Sequence, residues 1–106
     1  MIRVEVLRCG TSIKRVSVLG HAMYSDFGRD IVCSSVSTCV ITTVNGILSL
    51  DEEFLEVEEA SGKMIIDVLG KNESLDKLLQ NMIDMLSELS EQYPKNIMVI
   101  SKEGKR

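Results

Sequence analysis

One histidine and one of three cysteines have the types and the spacing that nucleophilic catalysis needs. His21 follows a predicted strand, and Cys33 lies in the first turn of the helix predicted to come next. Unpaired N–H groups at a helix N-terminus favour a thiolate and can donate to a developing oxyanion. If the chain between them folds back, the imidazole can accept the thiol proton and later donate it to a leaving amine. The pattern therefore indicates a Cys–His pair.

The same two residues also have a structural interpretation. Cys33 shares a helical face with Val36 and Val40, so it could be a small buried hydrophobic residue. A single histidine near a strand end is more often a hydrogen-bonding surface residue than a catalyst. On residue pattern alone, the structural interpretation is the more common of the two.

Two polar residues flank the cysteine in ways that could support a site. Asp30 is predicted as the N-cap of the helix, and it could also hold the imidazole of His21 in one tautomer. These two roles are compatible. Ser37 follows Cys33 by one turn on the same face, where it either permits close packing or hydrogen-bonds within the site.

The other cysteines are weaker candidates for chemistry. Cys9 lies in a predicted turn, and Cys39 is rotated well away from Cys33 on the helix. Zinc could be held by His21, Cys33 and Cys39 in principle, but no paired Cys-x-x-Cys or His-x-x-x-His spacing supports it. We therefore predict no metal and no cofactor.

Composition limits the function classes. A chain of 106 residues is one domain, spanning 1–106. The net charge of -4 argues against a general nucleic-acid binder, and 4% aromatic content with no Trp argues against a base-stacking surface. An odd number of cysteines and a start that lacks a signal peptide predict reduced thiols in the cytoplasm.

One segment has the length of a membrane span. Residues 31–50 carry no charge, but eight of them are Ser, Thr or Asn. In hydrocarbon each of these polar side chains would need a partner. We therefore predict a buried helix of a soluble fold and no membrane partner.

Periodicity predicts the order β-β-α-β-β-α-β. Two hairpins, each followed by a helix, and a short closing strand make an α+β domain, a mainly antiparallel sheet packed with two helices. Acidic residues cluster around the third strand, which indicates a solvated sheet edge or a surface for a basic partner. The predicted segments are a hairpin over 1–20, a loop over 20–30, a helix from 31, a hairpin over 54–69, a helix over 75–93, a strand over 97–100 and a polar tail over 101–106.

Two motifs carry a resemblance to a known family. Gly20-His21-Ala22 is followed by Gly28-x-Asp30-Ile31-Val32-Cys33-Ser34-Ser35-Val36-Ser37. This combination resembles the ribosomal-processing cysteine protease (Prp) family, as do the chain length and element order. This sequence has Ser34-Ser35 where Ala-Ala is common in the family, so both positions keep small residues.

The resemblance implies a cytoplasmic cysteine endopeptidase. Its substrate would be a short N-terminal extension of a basic ribosomal protein, the twenty-seventh of the bacterial large subunit. His21 would be the general base and acid, Cys33 the nucleophile, and Asp30 and Ser37 supporting residues. The resemblance further implies a homodimer and a substrate loop to which Gly20, Ala22 and Gly28 belong. The alternative is a non-enzymatic, ribosome-associated interaction domain that binds a basic partner.

Overall fold

A computed structural model describes residues 1–20 and 30–104, with Asp30 described by its backbone alone. The predicted order β-β-α-β-β-α-β and the predicted α+β class are confirmed. The elements are β1 (Ile2–Cys9), β2 (Ser12–Leu19), α1 (Asp30–Leu50), β3 (Leu55–Ala60), β4 (Lys63–Val68), α2 (Glu73–Gln92) and β5 (Ile97–Glu103).

The two hairpins form where turn residues separate alternating strands. Gly10 and Gly62 adopt the positive φ that tight hairpin turns require, at 63° and 71°. In the first hairpin the register shifts between Leu7 and Arg8, which leaves Lys14 without a partner on β1. This bulge restores Ile13 to the buried face that Val16 occupies, so both ends of β2 contribute to the core.

The five strands form one sheet in the order β3-β4-β2-β1-β5. Neighbouring strands are antiparallel except for β1 and β5, which are parallel. The strand β5 is longer than the sequence predicts, because Ser101 to Glu103 continue the pairing with β1 instead of starting a free tail. The Glu103 carboxylate accepts a hydrogen bond from the Gly10 N–H at 2.8 Å, which secures this end of the strand.

The helix α1 buries one face built largely of valine. Val36 and Val40 are 0% and 2% exposed, and the same face contains the further buried residues Val32, Val44 and Ile47. The predicted helix is therefore confirmed despite the low helix propensity of β-branched residues, because burial on the sheet outweighs it. The helix begins at Asp30, so this residue lies at the helix N-terminus, where the sequence predicts a cap.

The helix α2 is the amphipathic helix that the leucine spacing predicts. Asn72 caps its N-terminus, because the side-chain oxygen accepts hydrogen bonds from the N–H groups of Ser74 at 2.7 Å and Leu75 at 3.3 Å. Its buried residues are Leu75, Leu79, Met82, Ile83 and Leu86. The helix ends before Pro94, with Tyr93 as the C-cap.

Both helices contribute to the core that lies on one face of the sheet. The buried residues of the strands and of both helices form a single hydrophobic cluster. The segment Ile31–Leu50 of α1 is long and apolar enough to cross a membrane, with a mean hydropathy of 1.7, but in this fold it is the helix whose valines complete the core. At one end of the sheet β3 is an edge strand, where the acidic stretch was expected, and Glu56 and Glu58 are exposed there.

Candidate active site

The end of β2 lies beside the second turn of α1. Val18, near the end of β2, lines one groove together with Val36 and Ser37 of α1. The Gly20 N–H donates a hydrogen bond to the Gly62 carbonyl oxygen at 2.9 Å, which fixes the end of β2 to the β3–β4 turn. The strand that precedes His21 therefore ends beside the helix that carries Cys33, about one turn beyond that residue.

Gly20 is required by the backbone at this position. Its φ is +75°, a region that L side chains rarely adopt. A Cβ atom here would also lie 2.5 Å from the carbonyl oxygen of Met1. The resemblance assigns Gly20 to a substrate loop, and the structure adds a conformational reason for glycine at the start of that loop.

Cys33 lies in the first turn of α1, as the sequence predicts. Its side chain is half-buried and contacts the hydrophobic core, yet part of it remains accessible. The first four N–H groups of a helix have no acceptor within that helix, so donors are available around this turn. Cys33 therefore fits both interpretations of the sequence, because its side chain packs against the core and is also partly accessible.

The other predicted site residues are only partly covered by the described chain. Ser37 is half-buried one turn beyond Cys33 and faces the groove beside Val36. Asp30 is described by its backbone, so its capping and orienting contacts stay predictions. His21, Ala22 and Gly28 lie outside the described residues.

The second cysteine of α1 faces the other helix. The Cys39 thiol donates a weak hydrogen bond to the Met82 carbonyl oxygen over 3.9 Å, which places the thiol against α2. Burial raises the pKa of the Cys39 thiol, because desolvation disfavours the thiolate. Cys39 is therefore a less reactive thiol than a fully exposed cysteine would be, and like Cys33 it is a half-buried residue of α1.

Within residues 1–20 and 30–104, no group of three or more His, Cys, Asp or Glu side chains is arranged to hold a metal ion. His21, which the sequence analysis considers as a zinc ligand together with Cys33 and Cys39, lies outside these described residues.

The groove itself was not predicted. Its lining comes from β2, α1 and the β3–β4 hairpin, including Ile41, Ala60 and Met64. These residues are far apart in sequence and belong to ordinary apolar patterns. No local spacing could have identified them, because only the sheet order brings the hairpin beside α1.

Comparison with known proteins gives consistent matches. The family model described as "Cysteine protease Prp" matches residues 1–98. The Ribosomal processing cysteine protease Prp of Staphylococcus aureus is 32% identical over 81 residues, which cover 74% of this chain and 76% of the relative. The protein of the same name from Bacillus subtilis is 30% identical, with 93% of this chain and 96% of the relative covered.

The fold also matches solved structures. The crystal structure of the S. aureus processing protease with a covalently linked product peptide superposes with a TM-score of 0.86 at 28% identity. The match covers 96% of this chain and 100% of that one. A second structure of the S. aureus protease, which holds a substrate peptide, gives the same TM-score at 27% identity.

Two glycine substitutions should change stability in opposite directions. Gly20→Ala should lower the free energy of unfolding by more than about 1 kcal/mol, because the positive φ and the Met1 carbonyl both oppose a Cβ. Gly46→Ala, inside α1 with open space where the new methyl group would lie, should raise it by up to about 1 kcal/mol. Urea unfolding of both variants measures this. A neutral or stabilising Gly20→Ala would show that the start of the loop does not need glycine.

Proposed function

Because the chain belongs to the cysteine protease Prp family, it is a cysteine protease, and we propose that it removes a short N-terminal extension from a bacterial ribosomal protein. The proposed substrate is the twenty-seventh protein of the large subunit. The observation that carries the proposal is the half-buried but accessible thiol of Cys33 in the first turn of α1. One turn beyond Cys33, Val36 and Ser37 line a groove to which Val18, near the end of the strand that leads to His21, contributes.

The proposed reaction uses Cys33 as nucleophile and His21 as general base and acid. His21 takes the thiol proton, the sulfur forms a bond to the scissile carbonyl carbon, and first-turn N–H groups stabilise the oxyanion. The C–N bond then breaks, and His21 gives its proton to the departing amine. Water, deprotonated by His21, hydrolyses the thioester, which releases the new C-terminus and restores the thiol.

The supporting residues have distinct proposed roles. Asp30 would orient His21 or stabilise the first turn of α1, and Ser37 would hold the site together by hydrogen bonding. Gly20, Ala22 and Gly28 would form the loop beside which the substrate extension docks. The backbone requirement for glycine at position 20 supports a fixed start for that loop.

Charge supports a basic substrate. The protein carries a net charge of -4, and the edge strand β3 exposes Glu56, Glu58 and Glu59. Ribosomal proteins that contact RNA need basic residues, so the acidic protein would attract such a substrate electrostatically. Salt would screen this attraction and shorten the distance over which it acts. We propose no direct nucleic-acid partner.

We also propose a cytoplasmic homodimer. Helix α1 carries no charged residue from Ile31 to Leu50, and the side that includes Ser35 and Thr42 forms an open surface with the exposed Met85 of α2. An uncharged surface of this kind suits a second copy better than solvent. Sedimentation equilibrium tests this proposal: a mass of 11.8 kDa at all concentrations would exclude the homodimer.

Cleavage of the precursor should depend on one of the two cysteines of α1. The test incubates the organism's own ribosomal precursor with the protein and follows intact mass. Cys33→Ala and His21→Ala should each lower the cleavage rate by at least about a thousandfold, because nucleophile and base act together.

Cys39→Ala is the matched control for that experiment. It makes the same substitution on the same helix, at a residue that is also half-buried. The control should cleave normally, and both cysteine variants should lose no more than about 1 kcal/mol of stability. Equal loss of activity in the two variants, or cleavage by Cys33→Ala, would contradict the assignment of Cys33.

The thiols should also differ in reactivity. Iodoacetamide should alkylate Cys33 faster than Cys39 at neutral pH, because the raised pKa of Cys39 leaves less thiolate there. Raising the pH should narrow the difference, since the Cys39 thiolate then becomes more populated. His21→Ala should slow alkylation of Cys33 and leave Cys39 unchanged. Peptide mapping by mass spectrometry gives both rates.

The alkylation experiment separates the proposed mechanism from the non-enzymatic alternative. In an interaction domain Cys33 would be only a core-facing residue, and its contact with the hydrophobic cluster is the one observation that fits this interpretation. Its alkylation would then be as slow as that of Cys39 and independent of His21. The proteases to which this chain is similar argue against that outcome.

A further inference from the structure

The last described residue before His21 is held by two neighbouring parts of the sheet. The Gly20 N–H donates a hydrogen bond to the Gly62 carbonyl oxygen at 2.9 Å. On its other side Gly20 adjoins Met1, whose carbonyl oxygen would lie 2.5 Å from a Cβ atom at position 20. The strand β2 runs between β4 and β1, so these two contacts come from opposite sides. The chain is therefore fixed at Gly20, one peptide bond before His21.

Both neighbours of Gly20 are themselves anchored. Gly62 belongs to the two-residue turn of the β3–β4 hairpin, which the pairing of Ala60 with Lys63 closes. Its φ of 71° is in the left-handed region, so the direction of its carbonyl group depends on a conformation that glycine adopts readily. On the other side the Ile2 N–H donates a hydrogen bond to the carbonyl oxygen of residue 96 at 2.8 Å, which ties the start of β1 to the chain before β5.

The presence of glycine at position 20 makes this support necessary. Glycine has the widest choice of backbone angles of any residue, so Gly20 does not by itself fix the direction of the chain that follows it. In the proposed reaction the imidazole of His21 must come within hydrogen-bond reach of the Cys33 thiol. A displacement of about 1 Å in a catalytic group can lower the rate about a hundredfold. The packing of α1 positions the thiol, and a separate part of the fold must position the histidine.

We propose that Gly62 is a positioning residue for His21. Its carbonyl group, opposite the backbone of Met1, sets the direction of the chain at Gly20 and thereby the position of the general base. The proposal rests on the proposed function, because it takes His21 as the general base. Gly62 is not among the residues that line the groove between α1 and the hairpin, so its effect reaches the reaction through Gly20.

A valine variant of the turn tests the proposal. Gly62→Val should lower kcat for the ribosomal precursor by at least about tenfold, because a β-branched residue disfavours the left-handed conformation and turns the carbonyl group away from Gly20. KM should change less than about threefold, since the residues that line the groove are unchanged.

Gly10→Val is the matched control. Gly10 has a φ of 63° in the turn of the first hairpin, and the eight residues of β2 separate that turn from Gly20. The control should lower the urea midpoint of unfolding about as much as Gly62→Val, because the backbone strain is similar. Its kcat should stay within about twofold of the wild type.

A third variant, Gly62→Asn, separates the conformation of the turn from the bulk of a new side chain. Asparagine is close to valine in size but tolerates the left-handed conformation. This variant should keep kcat within about threefold of the wild type. An equal loss of kcat in Gly62→Asn and Gly62→Val would overturn the proposal, and so would a wild-type kcat in Gly62→Val or an equal loss in Gly10→Val.

The alkylation rate of Cys33 gives a measurement that needs no substrate. Iodoacetamide should label Cys33 in Gly62→Val at least about threefold more slowly than in the wild type, and Gly62→Asn should restore the rate. If His21→Ala leaves the rate unchanged, the proposed Cys–His pair fails and the positioning proposal fails with it. If His21→Ala slows the labelling and Gly62→Val does not, only the positioning proposal is overturned.

A milder pair of variants covers the case in which Gly62→Val does not fold. Gly62→Ala is then compared with Gly10→Ala by the same two measurements, because any Cβ atom disfavours a positive φ. The expected loss of kcat and of alkylation rate is again confined to the variant at position 62, and equal values in the two alanine variants would overturn the proposal.

Discussion

The packing of α1 on the sheet is the interaction on which the site depends. The buried valines of α1 share one hydrophobic cluster with β1, β2 and β4, so the helix can take only one position over the sheet. Cys33 lies at the start of this packed face, one turn before Val36. A change that displaced the helix would therefore move the thiol relative to the end of β2 as well as open the core.

Much of the fold could be predicted because its signals are local. Hairpin turns with glycine, the leucine spacing of α2 and the stop at Pro94 each act within a few residues. The length of β5 could not be predicted in this way. Ser101, Lys102 and Glu103 look polar and terminal, and they form a strand only because β1 supplies its free edge to them. Pairing with a distant strand outweighs local composition here.

The candidate site likewise has one part that local sequence predicts and another that depends on tertiary structure. The position of Cys33 in the first turn follows from the residues before and after it, and the His–Cys pattern was enough to indicate a protease family. The groove beside Cys33 was missed, since its lining is joined only by tertiary structure. Sequence also left open whether Cys33 belongs to the core or to the surface. The structure shows that its side chain packs against the core and is also partly exposed to solvent.

The parallel pairing of β1 with β5 has a consequence for how the chain folds. Ile2 pairs with Ile97, so β1 cannot complete this pairing until a strand that is synthesised much later becomes available. Closing so long a loop lowers the entropy of the chain before the contacts between the strands can stabilise it. Contacts between residues that are far apart in sequence therefore slow folding. The ribosome holds the most recently made residues in its exit tunnel. The sheet that supports the thiol can therefore be completed only after β5 has emerged from the tunnel, when the other strands and both helices have already been made.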